Sequence, residues 1–179
     1  MEDFMKEFKR INRQIVYKGA ILDFCKDDII TPKGHHVKWD FLQHKGAAAV
    51  IPVLDDGRII MVRQWRNAID RFALEIPAGG RDGENEPTNT CAARELEEET
   101  GYKSSRVEFL QTLVPAIAYS GEKIDVYVAF DLEKSHQKFD EDEDISLEIL
   151  ISIYEPVLFN SIDFINATSS YLIPSPSNW

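Results

Sequence analysis

Arg94, Glu95, Glu98 and Glu99 are the residues whose types and spacing most plainly suggest chemistry. The three glutamates stand at i, i+3 and i+4, so on a helix their carboxylates project from one face. Like charges that close repel and weaken a helix unless something positive lies among them. A hard divalent cation, Mg²⁺ or Mn²⁺, meets that need, since it prefers oxygen ligands and can bridge carboxylates to phosphate oxygens. Arg94, one turn before Glu98, can orient a carboxylate through its forked N–H groups. The plain alternative is a solvated acidic helix face.

The residues around this cluster weigh against that alternative. Gly80, Glu86, Arg94, Glu95, Leu96, Glu98, Glu99, Gly101 and Tyr102 satisfy the pattern G-x5-E-x7-R-E-U-x-E-E-x-G-U, where U is a bulky apolar residue. Glu97 falls on a free position of the pattern and is expected to be solvated. This pattern is the Nudix box, and from about residue 47 to 154 the chain resembles the Nudix hydrolase superfamily, in particular its ADP-ribose pyrophosphatase type. The resemblance implies an α+β fold, a mixed β-sheet sandwiched between helices. It also implies attack of water on a diphosphate, with Mg²⁺ or Mn²⁺ held by Glu95, Glu98 and Glu99 and by a backbone carbonyl of Ala78 or Gly79. In many relatives the glycine of the P-A-G run opens the box. Here the strict spacing selects Gly80, and Gly79 is the alternative equivalent.

Further resemblance lies outside the box. Arg63-Gln64-Trp65-Arg66 and Leu74-Glu75-Ile76-Pro77-Ala78-Gly79 look like stretches shared by hydrolases of nucleoside diphosphate sugars. Pro115 and the later Ser120-Gly121-Glu122 resemble that branch's substrate loop. The resemblance therefore implies substrate contacts for Arg66, Glu75, Pro115 and Glu122. For Arg66 the other reading is a surface ion pair, and for Glu122 a pairing with Lys123. The acidic run Phe139-Asp140-Glu141-Asp142-Glu143-Asp144-Ile145 resembles the loop that supplies a base and a further metal ligand, which points to Glu141 as base and Glu143 as ligand, with Arg94 and Glu98 completing the catalytic set. An acidic loop between strands is otherwise solvated surface. For Tyr17 and Trp39 one reading is stacking on a base across a dimer interface; the expected one is the core, where aromatic residues in strands commonly lie.

These groups need elements to position them. Residues 88–100 read as the helix, with Thr88 or Asn89 as cap and Gly101 in the left-handed position that ends it. Residues 77–87 read as a loop. Strands are expected near residues 14–17, 20–30, 36–44, 47–54, 59–62, 72–76, 107–113, 124–131 and 145–153, with turns at Lys18-Gly19, Pro32-Lys33-Gly34 and Asp56-Gly57. The expected domains are a small N-terminal β subdomain, residues 1–45, and a catalytic domain, residues 46–179. The subdomain resembles the one through which relatives form twofold dimers, so a homodimer is expected. The stretch 155–179 departs from the family's closing amphipathic helix. It reads as a divergent helix with an extended end or as the product of an altered reading frame.

Bulk properties bound the rest. With 179 residues, 44% hydrophobic and 28% charged, the chain has room for one full core but not for two large domains. A net charge of −11 opposes a broad grip on nucleic acid or an anionic membrane. Cys25 and Cys91, the two cysteines, lack a partner motif, and the four histidines lack ligand spacing, so reduced thiols and no zinc are expected. No apolar run has the length of a membrane span, and a cytoplasmic location is expected. The competing functions are hydrolysis of another diphosphate, such as a GDP- or UDP-sugar or a dinucleotide, and a non-catalytic module that senses a nucleotide.

Overall fold

A computed structural model describes residues 7–139 and 145–150 of the chain. Contacts divide it into two compact units, one formed by Met1–Lys45 with Ala116–Glu122 and the other by Gly46–Pro115 with Lys123–Trp179.

The first unit is an antiparallel sheet in the order β1 (Lys9–Lys18), β2 (Leu22–Ile30), β3 (His36–His44). Pro32-Lys33-Gly34 turns the chain between β2 and β3, with Gly34 at φ 83° donating its N–H to Thr31 O at 2.8 Å. Alternate residues of β2, Cys25, Asp27 and Ile29, are buried, as period two demands of a central strand. Asp27 is tolerated there because Arg13 of β1 grips it with two hydrogen bonds of 2.6 Å while stacking 3.6 Å from the centroid of Phe41. That hydrogen bonding holds the Asp27 carboxyl below its ordinary pKa. Tyr17 and Trp39 depart from expectation: they are 69% and 50% exposed and belong to no core.

The second unit holds two sheets. One has the order β7 (Ala78–Gly80), β4 (Ala47–Pro52), β10 (Ile124–Phe130), β9 (Arg106–Leu113), and the other the order β12 (Ile145–Leu150), β5 (Ile59–Arg66), β6 (Arg71–Glu75). The first is mixed, since β4 and β10 run parallel while their outer neighbours run antiparallel. A short ribbon, β8 (Tyr102–Lys103) with β11 (Glu133–Lys134), completes the strands. The class is α+β, and the one α-helix among the described residues is α1 (Thr88–Thr100).

Small residues let that helix come close. Cys91, Ala92 and Leu96 of α1 pack on Ala48, Val50, Tyr127 and Ala129, which lie on one face of β4 and β10. Leu96 is fully buried, a contribution of about 2 kcal/mol from its side chain alone. On the opposite face Ala49, Val126 and Leu113 form a second cluster, and Ile59 and Met61 of β5 form a third.

Two expectations are corrected here. Residues 78–80 are not loop but strand, pairing with Ala47–Ala49. β5 runs on from Val62 to Arg66, so the Arg63-Gln64-Trp65-Arg66 stretch lies within a strand. Residues 151–179, and with them the expected C-terminal helix, lie outside the described residues.

Candidate active site

The site is built on α1 and on the β7 backbone beside it. Thr88 does not cap the helix: Pro87 takes the cap position without a side-chain bond. The Thr88 hydroxyl instead lies 2.8 Å from Asp125 Oδ2 and 2.7 Å from the Tyr127 hydroxyl. Asp125 also accepts the Thr112 hydroxyl at 2.6 Å, which accounts for a carboxylate on the helix-facing side of β10. At the other end Gly101, at φ 69°, returns its N–H to Glu97 O.

Between these fixed ends the glutamates share the face turned to β7. Glu95 is 8% exposed and Glu99 3% exposed, whereas the Glu98 side chain is one-third exposed. Glu99 Oε2 accepts the Ala78 N–H at 3.1 Å. Glu95 lies flat against Gly79, where an added Cβ would stand 2.1 Å from its Oε1. A side chain at position 79 would push the Glu95 carboxylate aside, while Gly80 has open space where its Cβ would be.

Arg94 is the hub of the charge network. Its Nη1 donates to Glu95 Oε1 at 2.7 Å and to Glu98 Oε2 at 2.9 Å, its Nε to Glu86 Oε1 at 3.2 Å, and its Nη2 to Gly80 O at 2.9 Å. Burial alone would lower the guanidinium's pKa, but the bonds to Glu86 and Glu98 and the charge of Glu95 raise it above its usual value. Burial likewise pushes Glu86 upward, yet the Arg94 hydrogen bond and the Asp82 N–H hold it below the ordinary carboxylate range. Beneath them the Cys91 thiol points at Gly79 O and Gly80 O, 3.6 and 3.5 Å away. Burial drives its pKa up to about 12, so it is a neutral prop and not a nucleophile.

The donor set suits a hard cation: three carboxylates on one face, two of them nearly out of water, beside the backbone of residues 78–80. Among the described residues no three acidic, histidine or cysteine side chains already enclose a cation-sized space. Arg94 Nη1 bridges Glu95 and Glu98 in this arrangement.

The remaining candidates are placed as follows. Arg66 and Glu75 face one another across β5 and β6, joined by bonds of 3.0 and 2.6 Å. Pro115 is half-buried, two residues past the end of β9. Glu122 belongs to the first unit, where its N–H donates to Ser120 Oγ. Glu141 and Glu143 lie outside the described residues. Glu97, expected in solvent, is half-buried and accepts the Ser135 hydroxyl. Sequence reasoning read Thr88 as a helix cap and missed Thr112, Asp125, Ser135 and Arg81. The last of these braces the box loop by donating to the carbonyls of Glu84 and Glu86. Single hydroxyls and an arginine in a polar loop carry no pattern that would single them out.

Comparison with known proteins gives four findings. A family model described as NUDIX domain matches residues 43–155. The chain is 34% identical over 169 residues to an ADP-ribose pyrophosphatase of Bacillus subtilis, covering 93% of this chain and 91% of that protein. It is 36% identical over 143 residues to a methanol dehydrogenase activator of Bacillus methanolicus, covering 79% and 77%. Among solved structures, an ADP compounds hydrolase superposes with a TM-score of 0.76 at 22% identity, covering 92% of this chain and 89% of that one. At that identity the superposition speaks for the fold.

Proposed function

Since the chain belongs to the Nudix family, we propose that this pyrophosphatase hydrolyses the diphosphate bond of a nucleoside diphosphate sugar with Mg²⁺ or Mn²⁺, converting ADP-ribose to AMP and ribose 5-phosphate. The observation that carries the reading is the pair Glu95 and Glu99, carboxylates sunk against the Gly79 and Ala78 backbone with Glu98 beside them. Burying two acids of one sign side by side is costly; Arg94 offsets part of that cost through Glu95, and a divalent ion beside Glu99 would offset more. The similarity to the Bacillus subtilis protein along nearly its whole length supports the choice of substrate.

Glu95, Glu98, Glu99 and the Ala78 carbonyl would hold the divalent ion, with Glu143 as a further ligand. The chemistry supplied there is withdrawal of charge from the diphosphate and acidification of a water. Arg94 keeps Glu95 and Glu98 oriented through its two Nη1 bonds. Glu141 takes the proton of the attacking water, a modest task for a carboxylate once that water is acidified. Arg66, held in one orientation by Glu75, meets a phosphate oxygen. Pro115 and Glu122 keep the substrate-contact roles that the family resemblance implies for them. The protein works as a homodimer through its N-terminal unit, and two buried free thiols suit a reducing cytoplasm.

A panel of ADP-ribose, other ADP-, GDP- and UDP-sugars, dinucleotides and nucleoside triphosphates, assayed by phosphate released after phosphatase treatment, tests the reading. ADP-ribose with Mg²⁺ should give the highest kcat/KM, and excess EDTA should abolish turnover. Turnover of triphosphates without turnover of ADP-ribose would overturn the substrate assignment. Binding of ADP-ribose without turnover at saturating Mg²⁺ would overturn the enzymatic one.

A further inference from the structure

The last carbonyls of an α-helix have no partner within it and must find one elsewhere. At the end of α1 the Glu97 carbonyl takes the Gly101 N–H, and those of Glu98 and Glu99 find partners in one short strap, residues 135–138, which follows β11. Glu98 O accepts the Lys138 N–H at 3.0 Å, Glu99 O accepts Gln137 Nε2 at 2.8 Å, and Gly101 O accepts the Ser135 N–H at 2.6 Å. The Ser135 hydroxyl adds a bond to the Glu97 carboxylate. The fit is close: a Cβ at Gly101 would stand 3.1 Å from Gln137 Cγ and 3.2 Å from Gln137 N.

We propose that Gln137 is a positioning residue, whose amide clamps the last turn of α1 so that Glu98 and Glu99 present their carboxylates to a divalent cation. The proposal rests on reading those glutamates as cation ligands. Two facts separate this role from general stability. The residues that anchor α1 in the core, Cys91, Ala92 and Leu96, lie on earlier turns, so loosening the last turn leaves the main packing in place. Of the bonds that the strap gives to the Glu98 and Glu99 carbonyls, only that from Gln137 comes from a side chain. It acts at the negative end of the helix dipole, where a donor is favoured and a carboxylate is not.

The test is Mn²⁺ binding, followed by electron paramagnetic resonance of the free ion without substrate, for wild type and for Gln137→Met, Gln137→Lys and Gln137→Glu. Methionine keeps the length and loses the donor, and should weaken Mn²⁺ binding about three- to tenfold, the worth of one hydrogen bond. Lysine restores a donor and should bind within about twofold of wild type, while glutamate should bind more weakly than methionine. Equal binding by wild type and Gln137→Met, or equal weakening in all three variants, overturns the proposal and leaves the cation site standing. Absence of Mn²⁺ binding by wild type overturns both. Should the methionine variant fail to fold, the order of lysine and glutamate decides: lysine tighter supports the clamp, and lysine equal to or weaker than glutamate overturns it.

Discussion

Glu99 and Cys91 show how burial assigns opposite roles to two ionisable groups on one helix. Glu99, 3% exposed, accepts a backbone N–H from Ala78 and keeps company with Glu95 and Glu98. Replacing it by glutamine keeps an oxygen for that N–H and changes little in volume, but removes a charge from the proposed cation site. Glu99→Gln should therefore lower kcat at least about 100-fold while leaving the thermal midpoint near that of wild type. A large fall in the midpoint, or near-normal kcat, would sink that assignment. Burial raises the Cys91 pKa to about 12; the charge of Arg94 pulls it down, and those of Glu86 and Glu95 push it further up. A raised thiol pKa favours the protonated form, so thiolate is scarce at any pH below that value. With Cys25 also fully buried, the native protein should give no reaction with Ellman's reagent at pH 8, and both thiols should react in guanidinium chloride. Rapid native labelling of Cys91 would show that the box helix opens readily, and labelling of Cys25 that the N-terminal sheet does.

At the scale of elements, Glu86 ties the box loop to α1, and its protonation should loosen that tie. Its folded pKa lies below the ordinary 4.5 because the Arg94 and Asp82 bonds outweigh burial. The stabilisation is then fully present above about pH 4.5, where the unfolded chain is ionised too, and is lost as pH falls through the lower folded value. Glu86→Gln should destabilise the protein at pH 7, and the gap from wild type in urea melts should close as the pH is taken down below about 4.5. A gap that stays constant on acidification would contradict the linkage. The extent of the helix that Glu86 serves was legible in the sequence, though its cap was not. Residues 88–100 are mostly good helix formers and Gly101 ends them, and the structure gives α1 the same bounds. The strand at residues 78–80 was not legible, because its pairing with Ala47–Ala49 is made by main chain alone. The same holds for Ala116–Glu122, which meets β3 through the bonds Leu42 N to Tyr119 O and Gly121 N to Leu42 O. Of the candidate site, the glutamate cluster with its arginine could be read from spacing. The strap at residues 135–138 could not, since its links to α1 span some 38 residues and use common polar groups.

For the molecule as a whole, the surface poses one problem that the catalytic reading does not answer. The chain carries a net charge of −11, which favours separate, soluble molecules. Yet Ile11, Ile15, Val16 and Tyr17 on β1, and Ile21 after it, are between 48% and 75% exposed. β1 is also an edge of its sheet, with β2 as its paired neighbour. An apolar strand left at an edge invites pairing with another chain, and natural proteins blunt such edges or cover them. The cover proposed here is a second copy of the same unit, in which the two surfaces would be self-complementary about a twofold axis. Sedimentation equilibrium at micromolar concentration should then give the mass of two chains, about 41 kDa from the 20.5 kDa of one. Ile11→Lys with Ile15→Lys places two charges on that strand and should yield the mass of one chain. Its Mn²⁺ binding should be unchanged, since α1 belongs to the other unit. A wild-type mass of one chain would refute the dimer without touching the assignment of the metal carboxylates.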